Sequence, residues 1–236
     1  MSKAISFVVP AYNESAELPA TLRSIHNATR ETGCNYEIVV VDDASTDDTA
    51  ELARRLDARV VPISRRQIAA ARNAGARAAE GEILIFVDAD THITPEHVNG
   101  VLTALKENCA GGGARVLIGG GVPRWAKILV RVFSVFYFAL NLGAGAFLFT
   151  TRENFFAVGG FDEQYFAGEE IFFTLALRKL GRFVLLPIPV ITSGRKLRIY
   201  SPGKILHRTL AIVCGGRRAV TSRQKLDLWY GGEREG

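Results

Sequence analysis

Residues 36–50 read YEIVVVDDASTDDTA: a β-branched run that ends in two acids, a polar turn, and then the start of a helical pattern. A strand that is apolar at consecutive positions is covered on both faces, as in a parallel sheet with helices on each side. The same unit recurs outward from it. AISFVVP (4–10), ARVVPI (58–63) and EILIFVD (82–88) are short, β-branched and continuously apolar. Helical segments separate them: Leu18, Leu22 and Ile25 recur at helical spacing, Thr46 or Asp47 caps DDTAELARRL, and QIAAARNAGARAAEG stops at Gly81. TPEHVNGVLTALKEN adds Thr94 as cap and Pro95 at the first helical position. The βαβαβαβ order predicts an α/β fold with a Rossmann-like, doubly wound, mostly parallel sheet flanked by helices.

Ligands of such sheets sit outside the carboxyl ends of the strands. Here those ends carry PAYNES, DDASTDD and DADT, which gathers Asp42, Asp43, Asp88 and Asp90 on one edge.

With 236 residues, 48% hydrophobic and 22% charged, the chain buries a substantial core and is read as one domain over 1–236, with 201–236 as a basic C-terminal extension. The formal charge of +5 favours anionic partners. Nucleic acid is set aside, because the strand ends are acidic and would repel a phosphate backbone. Cys34, Cys109 and Cys214 are odd in number and far apart, which excludes a disulfide framework and a zinc cluster and points to a reducing cytoplasm. MSKAISFVVPAYNES contains neither a signal peptide nor a spanning helix. The uncharged run from Val132 to Thr150 is nearly long enough to span a bilayer, but Gly143 and Gly145 divide it into a helix-like and a β-like half, which favours packing in the core or on a membrane surface over a true span.

No G-x-G-x-x-G follows the first strand and no Walker loop is present, so a different device must hold a ligand. A D-x-D after a strand, as in FVDAD, supplies hard oxygen ligands to Mg2+ or Mn2+, with a diphosphate and waters completing the octahedron. Read alone, it is more simply a solvated turn with Asp caps.

FVVPAYNES, EIVVVDDASTDDTA, RNAGARAAEGE, FVDADT and GGFDEQYFAGEEIFFTLALRKLGR together resemble, in order and spacing, the family 2 glycosyltransferases of GT-A fold. The resemblance covers roughly residues 4–190. It implies an inverting, metal-dependent transfer of a sugar from a nucleotide-sugar donor, UDP-linked before GDP-linked, to an acceptor hydroxyl of a glycan, glycolipid or small molecule. The cofactor implied is a divalent metal, Mn2+ or Mg2+. By the same resemblance Pro10, Ala11, Tyr12, Glu14 and Asp42 or Asp43 hold the base and ribose, while Asn13 and Asp47 are read as helix caps. Arg72 is implied beside the donor phosphates, and Gly75 is read as allowing a close backbone approach. Asp88, Ala89 and Asp90 form the family's D-x-D, with Asp90 as the direct metal ligand and Asp88 reaching the ribose or a metal-bound water.

Glu170 falls where the family places its general base, usually the aspartate of a Glu-Asp pair, so this chain departs by one methylene; Glu169 is the alternative acid. Both also suit a helix N-terminus through its macrodipole. Phe155, Phe156 and Phe161 are read as core, and Asp162 as an acceptor contact or turn cap. From Val190 to Lys225 there are nine Lys and Arg and no acid. That stretch is read as a solvated basic face, as a flap placing Arg195 or Lys196 on the diphosphate and His207 on the metal, or as a lipid-surface contact shared with Arg124, Lys127 and Arg131. Membrane contact of this kind implies a peripheral position on the inner face. A nucleotidyltransferase would need a glycine-rich opening loop, which VPAYNES is not; a degenerate nucleotide-sugar-binding subunit is the reading the Glu-Glu departure leaves open.

Overall fold

The computed structural model describes residues 4–119, 137–138, 140–194 and 221. The described elements are β1 (Ile5–Ala11), α1 (Leu18–Thr32), β2 (Tyr36–Asp43), α2 (Thr49–Arg55), β3 (Arg59–Ile63), α3 (Ile68–Ala78), β4 (Ile83–Val87), β5 (Thr91–His92) and α4 (Pro95–Lys106), then β6 (Gly111–Gly119), β7 (Phe147–Thr151), α5 (Arg152–Ala157), α6 (Glu169–Leu180) and β8 (Phe183–Ser193). One sheet runs in the order β3-β2-β1-β4-β7-β6-β8-β5. β3, β2, β1 and β4 are parallel, the arrangement the βαβ reading predicts. The second half is mixed: β7 is antiparallel to β4 and β6, β8 is parallel to β6, and β5 is antiparallel to β8.

Side chains alternate between two cores, as the pleat requires. Phe7 and Val9 of β1, Ile38 and Val40 of β2, and Ile85 and Val87 of β4 join Leu18, Leu22 and Ile25 of α1 and Val98 and Val101 of α4. Val8, Val39, Val41, Leu84 and Phe86 face the other way, against Ala69, Ala71 and Ala76 of α3, Phe155 of α5, and Phe173 and Leu177 of α6. In this second core Phe161 stacks on Phe173 with centroids 4.2 Å apart and meets Phe86 edge-on at 5.1 Å. Phe155 and Phe161 are core, as expected; Phe156 lies on the outer side of α5 and is 46% exposed.

Several local readings change. Thr94 does cap α4 with Pro95 behind it, and His97 completes the capping box by accepting from the Thr94 N–H at 3.0 Å. The α2 cap position is Asp48, while the Asp47 carboxylate accepts from the Thr49 N–H at 3.1 Å and the Ser15 N–H at 3.1 Å. Asn13 caps no helix: its side-chain oxygen accepts from the Thr46 N–H at 2.8 Å and joins the loops after β1 and β2. Gly81 lies beyond the end of α3 and is needed for close packing, since a Cβ there would lie 2.7 Å from the Ser6 nitrogen. Gly75 serves a similar purpose, with a Cβ 2.3 Å from Val8 Cγ1 and 2.9 Å from Val41 Cγ2. It brings α3 onto the sheet rather than opening the backbone to a ligand.

Among the described residues no helix is long and apolar enough to cross a membrane. The strand half of the uncharged run is β7, and Tyr137 and Phe138 are helical. Arg124, Lys127, Arg131, Arg195, Lys196, His207 and all of 201–236 except Thr221 lie outside the described residues.

Gly75→Ala overpacks the contact between α3 and the sheet and is expected to cost about 1–3 kcal/mol. Urea unfolding should show a lower midpoint with an unchanged slope; an unchanged midpoint would mean that α3 has room to move outward.

Candidate active site

The D-x-D turn is held at five points. The Asp88 N–H donates to the Ala146 carbonyl at 3.2 Å, and the Thr91 N–H closes the turn on the Asp88 carbonyl at 3.0 Å. The Thr21 hydroxyl of α1 donates to the carbonyl of buried Ala89 at 2.8 Å. The Ser193 N–H donates to the Asp90 carbonyl at 3.1 Å, and the Thr192 hydroxyl donates to Asp90 Oδ1 at 2.9 Å. The partly exposed Asp90 carboxylate is thus aimed by the end of β8, where Ser193 also donates to Glu17 at 3.2 Å. Thr192 is missed by sequence reasoning, because only the pairing of Thr91 with Thr192 brings it there.

Arg72 lies under this turn and is 1% exposed. Its Nη1 donates to Glu169 Oε1 at 2.6 Å, and its Nη2 donates to Asp88 Oδ1 at 2.9 Å and to the Gly145 carbonyl at 3.0 Å. The guanidinium carbon lies 5.2 Å from the centroid of the Phe161 ring. Burial alone disfavours this cation, but the charges of Asp88, Glu169 and Glu170 outweigh it and hold the guanidinium above its ordinary value. Gly145 admits it: a Cβ there would sit 2.7 Å from Arg72 Nη2. Arg72 therefore joins the end of β4 to the start of α6.

Gly168, at φ +73°, turns the chain into α6 so that Glu169 and Glu170 open its first turn. Their environments differ. Glu169 is 3% exposed and paired with Arg72, whereas Glu170 is partly exposed. Burial, with the charge of Glu169 next, pushes the Glu170 carboxyl up to about 8, while Arg72 opposes the shift. The Tyr137 hydroxyl donates to the Gly143 carbonyl at 2.9 Å. Burial first, and then the charges of Glu170 and Glu169, raise its pKa.

The second aspartate pair is also divided. Asp43 points to the α3 side of the sheet and is 4% exposed; its Oδ1 accepts from the Arg65 and Arg66 N–H groups and its Oδ2 from the Gln67 N–H, each at 2.7 Å. Asp42 lies on the opposite face, partly exposed, with Oδ1 accepting from the Ser45 N–H at 3.3 Å. It pairs in register with Ala11, and Pro10 pairs with Val41, so the ends of β1 and β2 adjoin. Tyr12 and Glu14 follow in the next loop, partly exposed, and the Glu14 N–H donates to Thr49 at 2.8 Å. Asn73 and Gln67 of the α3 segment carry roles that the motif does not reveal. The Asn73 amide exchanges two hydrogen bonds with the Phe161 backbone, at 2.8 and 2.9 Å, and Gln67 donates to the carbonyls of Glu163 and Tyr165. Asp162 closes its own turn by accepting from the Gln164 N–H at 2.9 Å.

Two carboxylates on one held turn are a hard-oxygen set that fits Mg2+ or Mn2+. Asp90 is the better placed, because Asp88 shares an oxygen with a cation. Among the described residues no group of three or more His, Cys, Asp or Glu side chains could hold a metal ion, so the described part of the chain offers a cation this pair of carboxylates.

Comparison with known proteins agrees with this architecture. The family model described as "Glycosyl transferase family 2" matches residues 6–162, and the chain belongs to that family. A dolichol-phosphate mannosyltransferase of Pyrococcus furiosus is 35% identical over 127 residues, covering 51% of this chain and 36% of that protein. The S. aureus protein TarS (1-349), solved in complex with UDP-GlcNAc, superposes with a TM-score of 0.64 at 21% identity, covering 89% of this chain and 66% of that one. The mannosyltransferase PcManGT from Pyrobaculum calidifontis, solved with GDP-Man and Mn2+, gives 0.64 at 22% identity, covering 93% and 61%. These two structures establish the shared GT-A fold. The matched stretch spans about a third of the length of the curated relatives.

Removing Arg72 strands two carboxylates, so Arg72→Met should cost about 3–5 kcal/mol. Adding Glu169→Met to it should cost less than the sum of the single changes, by more than about 0.5 kcal/mol in a double-mutant cycle from urea unfolding; additive costs would uncouple the pair. The folded-state value for Glu170 lies above its ordinary 4.5, so its contribution to stability is full below that value and is lost as pH rises through about 8. Glu170→Gln should flatten the stability profile across that window, and a parallel profile would assign the titration to another group.

Proposed function

We propose that this chain is a metal-dependent inverting glycosyltransferase that moves a sugar from a nucleotide-sugar donor, UDP-linked in the first instance, to an acceptor hydroxyl. The observation that carries the reading is the buried Arg72, which ties the D-x-D turn to the Glu169–Glu170 helix start at 2.9 and 2.6 Å. In this reading Pro10, Ala11, Tyr12, Glu14 and Asp42 hold the nucleoside. Asp43 and Arg72, both committed inside the protein, shape the donor site from beneath. A divalent cation at Asp90, with Asp88 beside it, neutralises charge on the departing diphosphate.

Glu170 takes the acceptor proton as the hydroxyl oxygen bonds to the anomeric carbon and the bond to the diphosphate oxygen breaks on the opposite face. Glu169, held by Arg72, fixes where Glu170 stands. With its carboxyl pushed up to about 8, Glu170 is mostly protonated at neutral pH, so kcat/KM should rise with pH through that value. Glu170→Gln should keep donor binding and abolish transfer.

The dolichol-phosphate relative supports a second reading, in which the acceptor is a lipid-linked phosphate at a membrane surface. A phosphate oxygen is already ionised and needs no base, so under that reading Glu170→Gln keeps its turnover. Calorimetry with UDP and GDP, each with and without Mn2+, tests the common ground: the transferase reading predicts metal-dependent binding of at least one of them, and binding of neither would reject it.

A further inference from the structure

Arg66 lies in the loop between β3 and α3, and three features single it out. Its φ is +50°, a left-handed conformation that costs any residue with a Cβ and that glycine takes freely. The conformation is enforced, since its N–H donates to Asp43 Oδ1 at 2.7 Å between those of Arg65 and Gln67 on the same carboxylate. The arginine side chain thus stands on backbone that glycine would adopt without strain.

The side chain itself lies flat on a ring. The Arg66 guanidinium carbon is 3.2 Å from the centroid of Tyr12, which follows directly on the Ala11–Asp42 register pair at the strand-end edge. Arg65 pairs with Glu163 at 3.6 Å, whereas Arg66 has no carboxylate partner among the described residues. A cation with no carboxylate partner among the described residues thus covers the aromatic surface on which a nucleobase would stack.

We propose that Arg66 is a donor-recognition residue that exchanges partners when a nucleoside diphosphate enters: the base takes the face of Tyr12 and the displaced guanidinium meets the diphosphate. This rests on reading the edge as a nucleotide-sugar site. A cation on a partly exposed ring is held more weakly than a stacked base, and two phosphate groups bind a guanidinium more strongly than either, so the exchange runs downhill. The side chain closes the empty site and then contributes to the filled one.

The test is calorimetry on Arg66→Gly and Arg66→Met with UDP and GDP in Mn2+, alongside uridine and guanosine. Arg66→Gly relieves the backbone and should melt no lower than wild type, and Arg66→Met keeps the β-carbon and removes the charge. Both should bind the diphosphate about tenfold more weakly, with nucleoside binding unchanged or tighter because the guanidinium no longer has to be displaced. Unchanged diphosphate binding would overturn the proposal, as would equal weakening of diphosphate and nucleoside, which would make the guanidinium a stacking layer only. Wild-type protein that binds neither diphosphate would remove the transferase reading and this inference together; wild-type binding with indifferent variants would remove the inference alone.

Discussion

The site is organised by one cation taken out of water. Burying a guanidinium costs several kcal/mol unless charge and hydrogen bonds replace its hydration. Arg72 therefore has to be met by Glu169, Asp88 and the Gly145 carbonyl, from three separate segments. None of the three can move away without stranding a charge inside the protein. The end of β4, the loop before β7 and the first turn of α6 are fixed relative to each other, although no backbone hydrogen bond joins β4 to α6.

A common division of labour follows at the acidic pairs. Asp43 and Glu169 are turned inward and used by the framework, one on three backbone amides and the other on Arg72. Their neighbours Asp42 and Glu170 remain partly exposed at the same edge. Successive residues of a strand point to opposite faces, and successive residues of a helix are turned by about 100°. An adjacent pair therefore offers one anchor and one group for ligands. The anchor also sets the chemistry of its partner, because the charge of Glu169 helps raise the carboxyl of Glu170.

The parallel half of the fold was legible because each strand is a local pattern: AISFVVP, YEIVVVD, ARVVPI and EILIFVD lie within a residue or two of β1 to β4. D-x-D was legible as a turn after a strand. What the sequence left open lies between residues far apart. Arg72 meets Glu169 97 positions away, and Thr192 meets Asp90 102 away. Which of Glu169 and Glu170 turns inward depends on where α6 begins, and the helix begins at Glu169 itself. Gly75 and Gly81 read as ligand-side and helix-end signals, yet both are set by contacts with β1. The antiparallel entry of β7 has no local signature, since a buried strand reads the same in either direction.

That strand has a consequence for the order of assembly. β4 forms one ladder with β1 and its other with β7, whose residues lie about sixty positions further along the chain. The four parallel strands can be complete once Val87 has been made, but one edge of β4, carrying Leu84, Ile85 and Phe86, stays open until Phe147–Thr151 arrives. An apolar strand with unpaired backbone groups is a template for pairing with other chains. At synthesis rates of about 5–20 residues per second, that edge remains uncovered for several seconds on the ribosome.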